Sequence, residues 1–193
     1  MTTIRRFRMT DLFRFNSVNL DVLTATYAMP FYFDYFSRHP EYFEASLSPH
    51  TNSVTGYVMG KAEGHEKSYH GHVTAVTVAP PYRRLGLAHA FMDSLETISS
   101  DVYNAYFVDL FVRESNATAI GMYRRFGYGT YRRVLGYYSG GCGPTVVDDD
   151  GAVRGLLPED EDGLDMRKAL SRDAEGETVV PLGRPVRPED LEW

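Results

Sequence analysis

The chain has 193 residues, 43% hydrophobic and 13% aromatic, with a formal net charge of −6, enough for one ordinary domain plus extensions. No stretch nears the ~20 apolar residues of a membrane span, the opening MTTIRRFRMT has no apolar signal-peptide run, and the lone Cys142 excludes an intrachain disulfide or a Cys-rich zinc site. From Val146 onward 14 acidic residues face 6 basic ones, whereas the remainder is nearly neutral, which argues for a solvated or partner-binding extension rather than a nucleic-acid-binding tail.

Thr2 to Met9 reads as an opening strand. Thr10 or Asp11 is a fair N-cap for a helix carrying Leu12, Phe13 and Phe15. A loop follows to Tyr27. Pro30 suits the first turn of a second helix through Phe31, Phe33, Tyr35 and Phe36, whose aromatic stripe reads as core. His39-Pro40 breaks it. Tyr42 to Leu47 and Val54 to Ala62 are strands, with Gly60 a weak point in the second.

Tyr69 to Ala79 is the central strand. Strict alternation puts Val73, Ala75 and Thr77 on one face and Thr74, Val76 and Val78 on the other, so both faces are covered. Pro80 and Pro81 stop it. Leu85, Ala88, Phe91, Met92, Leu95 and Ile98 mark one face of the next helix. Ala105 to Val112 is a strand, apolar apart from Asp109. Ser115 or Asn116 caps a helix that Gly127 ends.

Tyr128 to Tyr138 reads as a strand, and residues 139–143 and 146–162 as loops. Leu164 to Ala169 is expected to be a last edge strand. The remainder, with prolines at 181, 185 and 188, reads as an irregular arm that covers something rather than folding alone. The expected division is a core over residues 1–145, an acidic loop and edge strand over 146–170, and an arm over 171–193.

Several groups could do chemistry. Arg83-Arg84-Leu85-Gly86-Leu87-Ala88 joins the central strand to a helix. Its small residues leave the first N–H groups open to an anion, and the helix dipole and two arginines favour one there. Asn116 and Tyr123, seven residues apart, share a helix face. Tyr123 is either a core residue or a proton donor; a phenol of pKa about 10 is protonated at neutral pH. Backbone N–H groups of Val76 and Val78 are candidates to hold an oxyanion where the strand splays.

His70 and His72 share one side of a strand. They are packed neutral imidazoles, or a general base or substrate-holding His72 with Thr74 beside it, or two ligands of a metal site with no obvious third. No metal is expected. Tyr137 and Tyr138 are either an aromatic strand end or hydroxyls that hold a peptide backbone.

The motif RRLGLA after a strand, followed by a second strand and the N-x-x-A-x-x-x-Y helix of Asn116 and Tyr123, resembles the acetyl-CoA-binding half of the GNAT acyltransferases. FRMTDLFRFNSVNLD, HPEYF, GYVMGKAEG, HGHVTAVTVAP, VDLFVRESNATAIGMYRRFGY, GYYSG, LDMRKALSRD and PVRPEDLEW extend the likeness over nearly the whole chain. They resemble the catalytic subunits of NatB-type amino-terminal acetyltransferases.

That resemblance implies an α/β fold, the GNAT acyltransferase fold, with a mixed central sheet of about seven strands and about four helices. It implies acetyl-CoA as co-substrate, and transfer of acetyl to the terminal methionine of nascent chains beginning Met-Asp, Met-Glu, Met-Asn or Met-Gln. It implies a large helical-repeat auxiliary subunit that docks the enzyme near the ribosome. The lone cysteine and the absence of a signal run or apolar span give a cytoplasmic location by default, and with the acidic tail no direct nucleic-acid or membrane contact is expected.

Carried over by residue, Arg83 to Ala88 form the cofactor loop, and Asn116 and Tyr123 lie on the CoA helix, with Tyr123 donating a proton to the departing sulfur. Leu23 to Tyr27 and Tyr137 to Gly140 grip the peptide, and His72 faces its second residue. Tyr27 and Phe31 suit a pocket for the methionine. Relatives usually carry a glutamate where this chain has Ala25, so a contact from that loop is not carried over. A lysine or small-amine acetyltransferase and a non-catalytic CoA-binding scaffold are the alternatives.

Overall fold

The computed structural model describes residues 2–19, 24, 26–138, 145–147, 153–155 and 161–191. Seven strands form one sheet: β1 (Thr3–Arg6), β2 (Glu44–Leu47), β3 (Val54–Glu63), β4 (His70–Val78), β5 (Phe107–Arg113), β6 (Gly129–Val134) and β9 (Gly163–Ala169), in the order β1-β2-β3-β4-β5-β9-β6. A separate two-stranded hairpin pairs β7 (Thr145–Val147) with β8 (Val153–Gly155). All neighbours are antiparallel except β4 and β5, which run parallel. The helices are the single turn α1 (Asn16–Asn19), then α2 (Met29–Arg38), α3 (Leu87–Asp101) and α4 (Ala117–Arg125).

Each sheet face has its own core. On one, Phe91, Met92 and Leu95 of α3 and Ile120 and Tyr123 of α4 pack on Val58, Val73, Leu110 and Met166. On the other, Phe7, Phe15, Tyr32 and Phe43 pack on Tyr57 and Met59. Phe7 and Phe43 stack at 4.1 Å. The aromatic stripe of α2 divides: Tyr32 and Tyr35 are buried, while Phe31 and Phe33 remain over a third exposed. Gly60 is a requirement of packing rather than a weak point. A Cβ there would lie 2.7 Å from Leu95 Cδ1 and 2.8 Å from the His72 carbonyl oxygen.

Four expectations change. The first helix is a 3-10 segment, Met9–Phe13, and Asp11 is its third residue rather than its N-cap, with its carboxylate turned back to accept the Arg8 N–H at 2.8 Å. The strand expected to run to Tyr138 stops at Val134, so Tyr137 and Tyr138 sit in a turn. The segment read as loop holds β7 and β8, built on the β-branched Thr145, Val146, Val147 and Val153. Leu164 to Ala169 is not an edge strand: β9 lies between β5 and β6. Its polar sequence misleads because the fully buried Asp165 is paired with Arg132 at 2.9 Å and Arg167 at 3.2 Å.

The true edge is β6, and the C-terminal arm covers it. Leu182 N–H donates to the Tyr131 carbonyl, Leu135 N–H to Val186 and Val186 N–H to Arg133.

Candidate active site

The site is built on an irregularity in β4. Met59 pairs with Ala75 but Gly60 pairs with Val73, so Thr74 is an extra residue on β4. Such a bulge breaks the period of two and re-aims side chains. Val73, Val76 and Val78 pack on the α3/α4 face, whereas Ala75 packs on the α2 face. The Thr74 and Tyr35 hydroxyls are hydrogen-bonded, which puts Thr74 on the α2 face too. The strict alternation read from sequence therefore fails here.

The sheet also opens at this point. Parallel pairing of β4 with β5 ends at Val73 and Leu110. Ala79 N–H donates toward β3, to the Thr55 carbonyl at 2.8 Å. Backbone groups alternate, so Thr77 also faces β3 and Val76 and Val78 face the gap. Two bonds agree: the Val78 carbonyl accepts Arg83 Nε–H at 3.0 Å, and the Thr74 carbonyl accepts the Tyr27 hydroxyl at 3.5 Å.

On the α3 side, Arg84 and Gly86 have φ of 66° and 81° and turn the chain into α3. Gly86 is the N-cap, and no side chain caps this end. Arg83, Arg84, Leu85 and Gly86 are exposed, Ala88 is half-buried, and Leu87 is buried. Asn116 caps α4, its Oδ1 accepting the Ala119 N–H at 3.1 Å, and its NH2 group makes no hydrogen bond among the described residues. Tyr123 is buried on the same face, and burial raises its hydroxyl to about 12. That hydroxyl makes no hydrogen bond among the described residues.

On the α2 side, Tyr27 stacks on Phe31 at 4.3 Å, and Phe31 lies 5.2 Å from Tyr35. Tyr137 stacks on Phe111 at 4.4 Å. Arg113 lies 4.2 Å over the Tyr138 ring and is itself held by Glu161 at 3.0 Å. Gly140, Leu23 and Ala25 lie outside the described residues.

Residues 9–128 match the Acetyltransferase (GNAT) family. The chain is 55% identical to the N-terminal acetyltransferase B complex catalytic subunit NAA20 of Arabidopsis thaliana, over all of this chain and 99% of that protein. It superposes on the crystal structure of Chaetomium thermophilum Naa20 with a bisubstrate analogue at TM-score 0.83 and 36% identity, covering 97% of each. It superposes on a NatB acetyltransferase complex bound to a bisubstrate inhibitor at TM-score 0.80 and 35% identity, covering 99% of each. The chain belongs to the GNAT family. Within that family it is an amino-terminal acetyltransferase of the NatB catalytic-subunit type.

A GNAT acetyltransferase joins an acyl donor and an amine, and the two sheet faces here differ accordingly. The uncapped helix start and Tyr123 share one face, Tyr27 and Phe31 the other, and the gap beside Val76 and Val78 opens between them.

His72 carries partners that sequence reading missed. Its Nδ1 lies 2.8 Å from Asp109 Oδ1. Burial pushes the Asp109 carboxyl up, but the charges of His70 and His72 and the bond to His72 outweigh it, holding it at about 2. Asp109 is therefore an acceptor, and His72 Nδ1–H the donor. His70 Nε2 lies 3.5 Å from the same oxygen, and Glu63 Oε1 lies 3.8 Å from both imidazoles. The expectation that the two histidines lack a third ligand thus fails. The signal was present: Asp109 is the one charge between Ala105 and Val112. Tyr35, the partner of Thr74, was missed because it sat within an aromatic stripe that reads as core.

Proposed function

We propose that this GNAT enzyme acetylates the terminal methionine of chains beginning Met-Asp, Met-Glu, Met-Asn or Met-Gln. It works in the cytoplasm, near the ribosome, with a helical-repeat auxiliary subunit. The observation that carries this reading is the open β4 edge, which lies between a stacked aromatic pocket and the face holding Tyr123.

Acetyl-CoA would lie along the α3 face with its pyrophosphate at Arg83 to Ala88, where free N–H groups and the helix dipole favour an anion. Asn116 supports it through its free NH2 group. The peptide enters from the α2 side, its methionine against Tyr27 and Phe31 and its backbone near Tyr137 and Tyr138. The uncharged terminal amine attacks the acetyl carbonyl carbon. Such an amine has a pKa near 7.7–8.0 and needs little help to lose its proton. The N–H groups of Val76 and Val78 would stabilise the resulting oxyanion; one such donor is typically worth ~10²–10³ in rate. The C–S bond then breaks as Tyr123 donates its proton to the departing thiolate, and the proton that the nitrogen sheds in becoming an amide passes through solvent to restore Tyr123.

His72 and Thr74 stand where the second residue would pass. Asp, Glu, Asn and Gln all present a side-chain oxygen that the Thr74 hydroxyl can hold, or an imidazolium form of His72 with a second proton on Nε2 while Nδ1–H bonds Asp109. Met9, Phe13, Met29 and Phe33 are each over a third exposed, Phe13 at 74%, which supports a partner surface.

The test is acetyl transfer from acetyl-CoA to peptides that differ only at residues 1 and 2, with and without the auxiliary subunit. Turnover on Met-Asp and weak turnover on Met-Leu is expected. No turnover on any free amino terminus points to a scaffold. Equal turnover on a pre-acetylated, lysine-bearing Met-Asp peptide points to a lysine acetyltransferase.

A further inference from the structure

Glu63, His70, His72 and Asp109 come from three adjacent strands. The β3–β4 register sets Glu63 opposite His70, and the β4–β5 register sets His72 opposite Asp109. Their ligand-bearing atoms converge. Asp109 Oδ1 is 2.8 Å from His72 Nδ1 and 3.5 Å from His70 Nε2, and Glu63 Oε1 is 3.8 Å from each of the same nitrogens. Ligand atoms held tetrahedrally about 2.0–2.2 Å from a zinc ion lie about 3.3–3.6 Å apart. The Glu63 contacts to both imidazoles would close by a few tenths of an ångström around such an ion, and the 2.8 Å hydrogen bond between His72 and Asp109 would open.

Two further observations point to a cation. Glu63 Oε1 is buried, faces both imidazoles, and has no hydrogen-bond partner among the described residues. A buried carboxylate oxygen in that state is costly unless something positive meets it. Lys61 pairs with the other oxygen, Oε2, and leaves Oε1 to the cluster. The second observation is the tie behind His70: its Nδ1 lies 2.6 Å from the Ser68 carbonyl. A carbonyl only accepts, so Nδ1 carries the proton and the Nε2 lone pair is turned inward. Metal-binding histidines are oriented in this way by a carbonyl or carboxylate behind them.

We propose that Glu63 Oε1, His70 Nε2 and His72 Nδ1 hold a divalent transition-metal ion of the zinc type, with the fourth position open to water or to a shifted Asp109 Oδ1. Mixed imidazole and carboxylate ligands in this geometry suit zinc over magnesium or calcium, which take six or more oxygens. Binding would move the proton now on His72 Nδ1 to Nε2, because the metal takes the Nδ1 lone pair. His72 would then present a fixed N–H donor. This consequence rests on the peptide reading above, whereas the site itself does not.

The test uses the full-length chain with Zn²⁺ or Co²⁺ as the probe. After equilibration with stoichiometric Zn²⁺ and gel filtration, one zinc per chain is expected. Co²⁺ should give the intense visible absorption of a four-coordinate ion and be displaced by Zn²⁺. Glu63→Gln and His70→Gln should each weaken zinc binding at least about tenfold, since each removes a ligand. A wild-type chain that retains no zinc and shows only the weak spectrum of six-coordinate cobalt overturns the proposal. So does zinc held equally tightly by the two variants. Should either variant fail to fold, the cobalt spectrum of the wild type decides alone. Acetyl transfer is not the readout, so failure here leaves the peptide preference standing.

Discussion

Tyr123 shows how a single residue's environment narrows its role. Burial lifts its hydroxyl to about 12, so it is a poor base and a reliably protonated donor. Tyr123→Phe keeps the ring packed among Ile120 and Tyr128. It should lower kcat by ~10²–10⁴-fold, typical for a lost general acid, and leave acetyl-CoA affinity near normal. Single-turnover rates at the wild-type level would make Tyr123 a structural residue. The raised pKa also sets a direction in pH: the donor is lost only as pH rises towards 12, so kcat should hold through about 10, where an ordinary phenol is half ionised. His72 invites a different measurement. His72→Ala should narrow the gap in kcat/KM between Met-Asp and Met-Leu peptides, mainly by losing the former, because a site built to hydrogen-bond a polar group rejects an apolar one strongly. An equal loss on both peptides would mark His72 as a base instead.

At the scale of elements, two junctions carry testable weight. The first joins β1 to the 3-10 segment. Asp11 is buried, bonds Arg5 through both oxygens at 2.7 and 2.9 Å, and accepts the Arg8 N–H. Burial pushes its carboxyl up, but Arg5 and the Arg8 N–H outweigh this and leave it below the usual range. A carboxyl depressed in the folded state contributes stability that is present above its unfolded pKa near 3.9 and lost as pH falls through the folded value. Asp11→Asn should cost about 1–2 kcal/mol at neutral pH, and the difference from wild type in urea melts should shrink below about pH 4. The second junction is the start of α3. Gly86 sits at φ 81°, with open space where a Cβ would be. Gly86→Glu should therefore fold, at a cost of about 1–2 kcal/mol for the left-handed backbone. Its carboxylate would meet the pyrophosphate, and calorimetry should detect no acetyl-CoA binding; unchanged affinity would move the phosphate site elsewhere.

At the scale of the whole molecule, the C-terminal arm closes one edge of the sheet. The arm lies along β6, the outer strand of the main sheet, with hydrogen bonds to Tyr131, Arg133 and Leu135. An uncovered edge is a template for pairing with other chains. Deleting residues 181–193 should lower the melting temperature and promote aggregation, read by light scattering, while the remaining soluble enzyme keeps its preference among peptides. A changed preference would place the arm in the peptide site.

Local pattern determined much of this. Hydrophobic periodicity fixed α3, the double proline ended β4 close to where the sequence stops it, and Asn116 caps α4 as its side chain predicts, because each depends on neighbours within a turn or two. The edge-strand reading of Leu164 to Ala169 failed because Arg132 and Arg167 neutralise Asp165, and Arg132 is distant in sequence. The bulge at Thr74 was also hidden: it is a mismatch of register between two strands, and neither strand encodes it alone. The convergence of Glu63, His70, His72 and Asp109 is the same kind of fact. Spacing put two imidazoles on one side of a strand, but only sheet register could bring two carboxylates to them, since side chains on neighbouring strands meet through pairing and not through sequence distance.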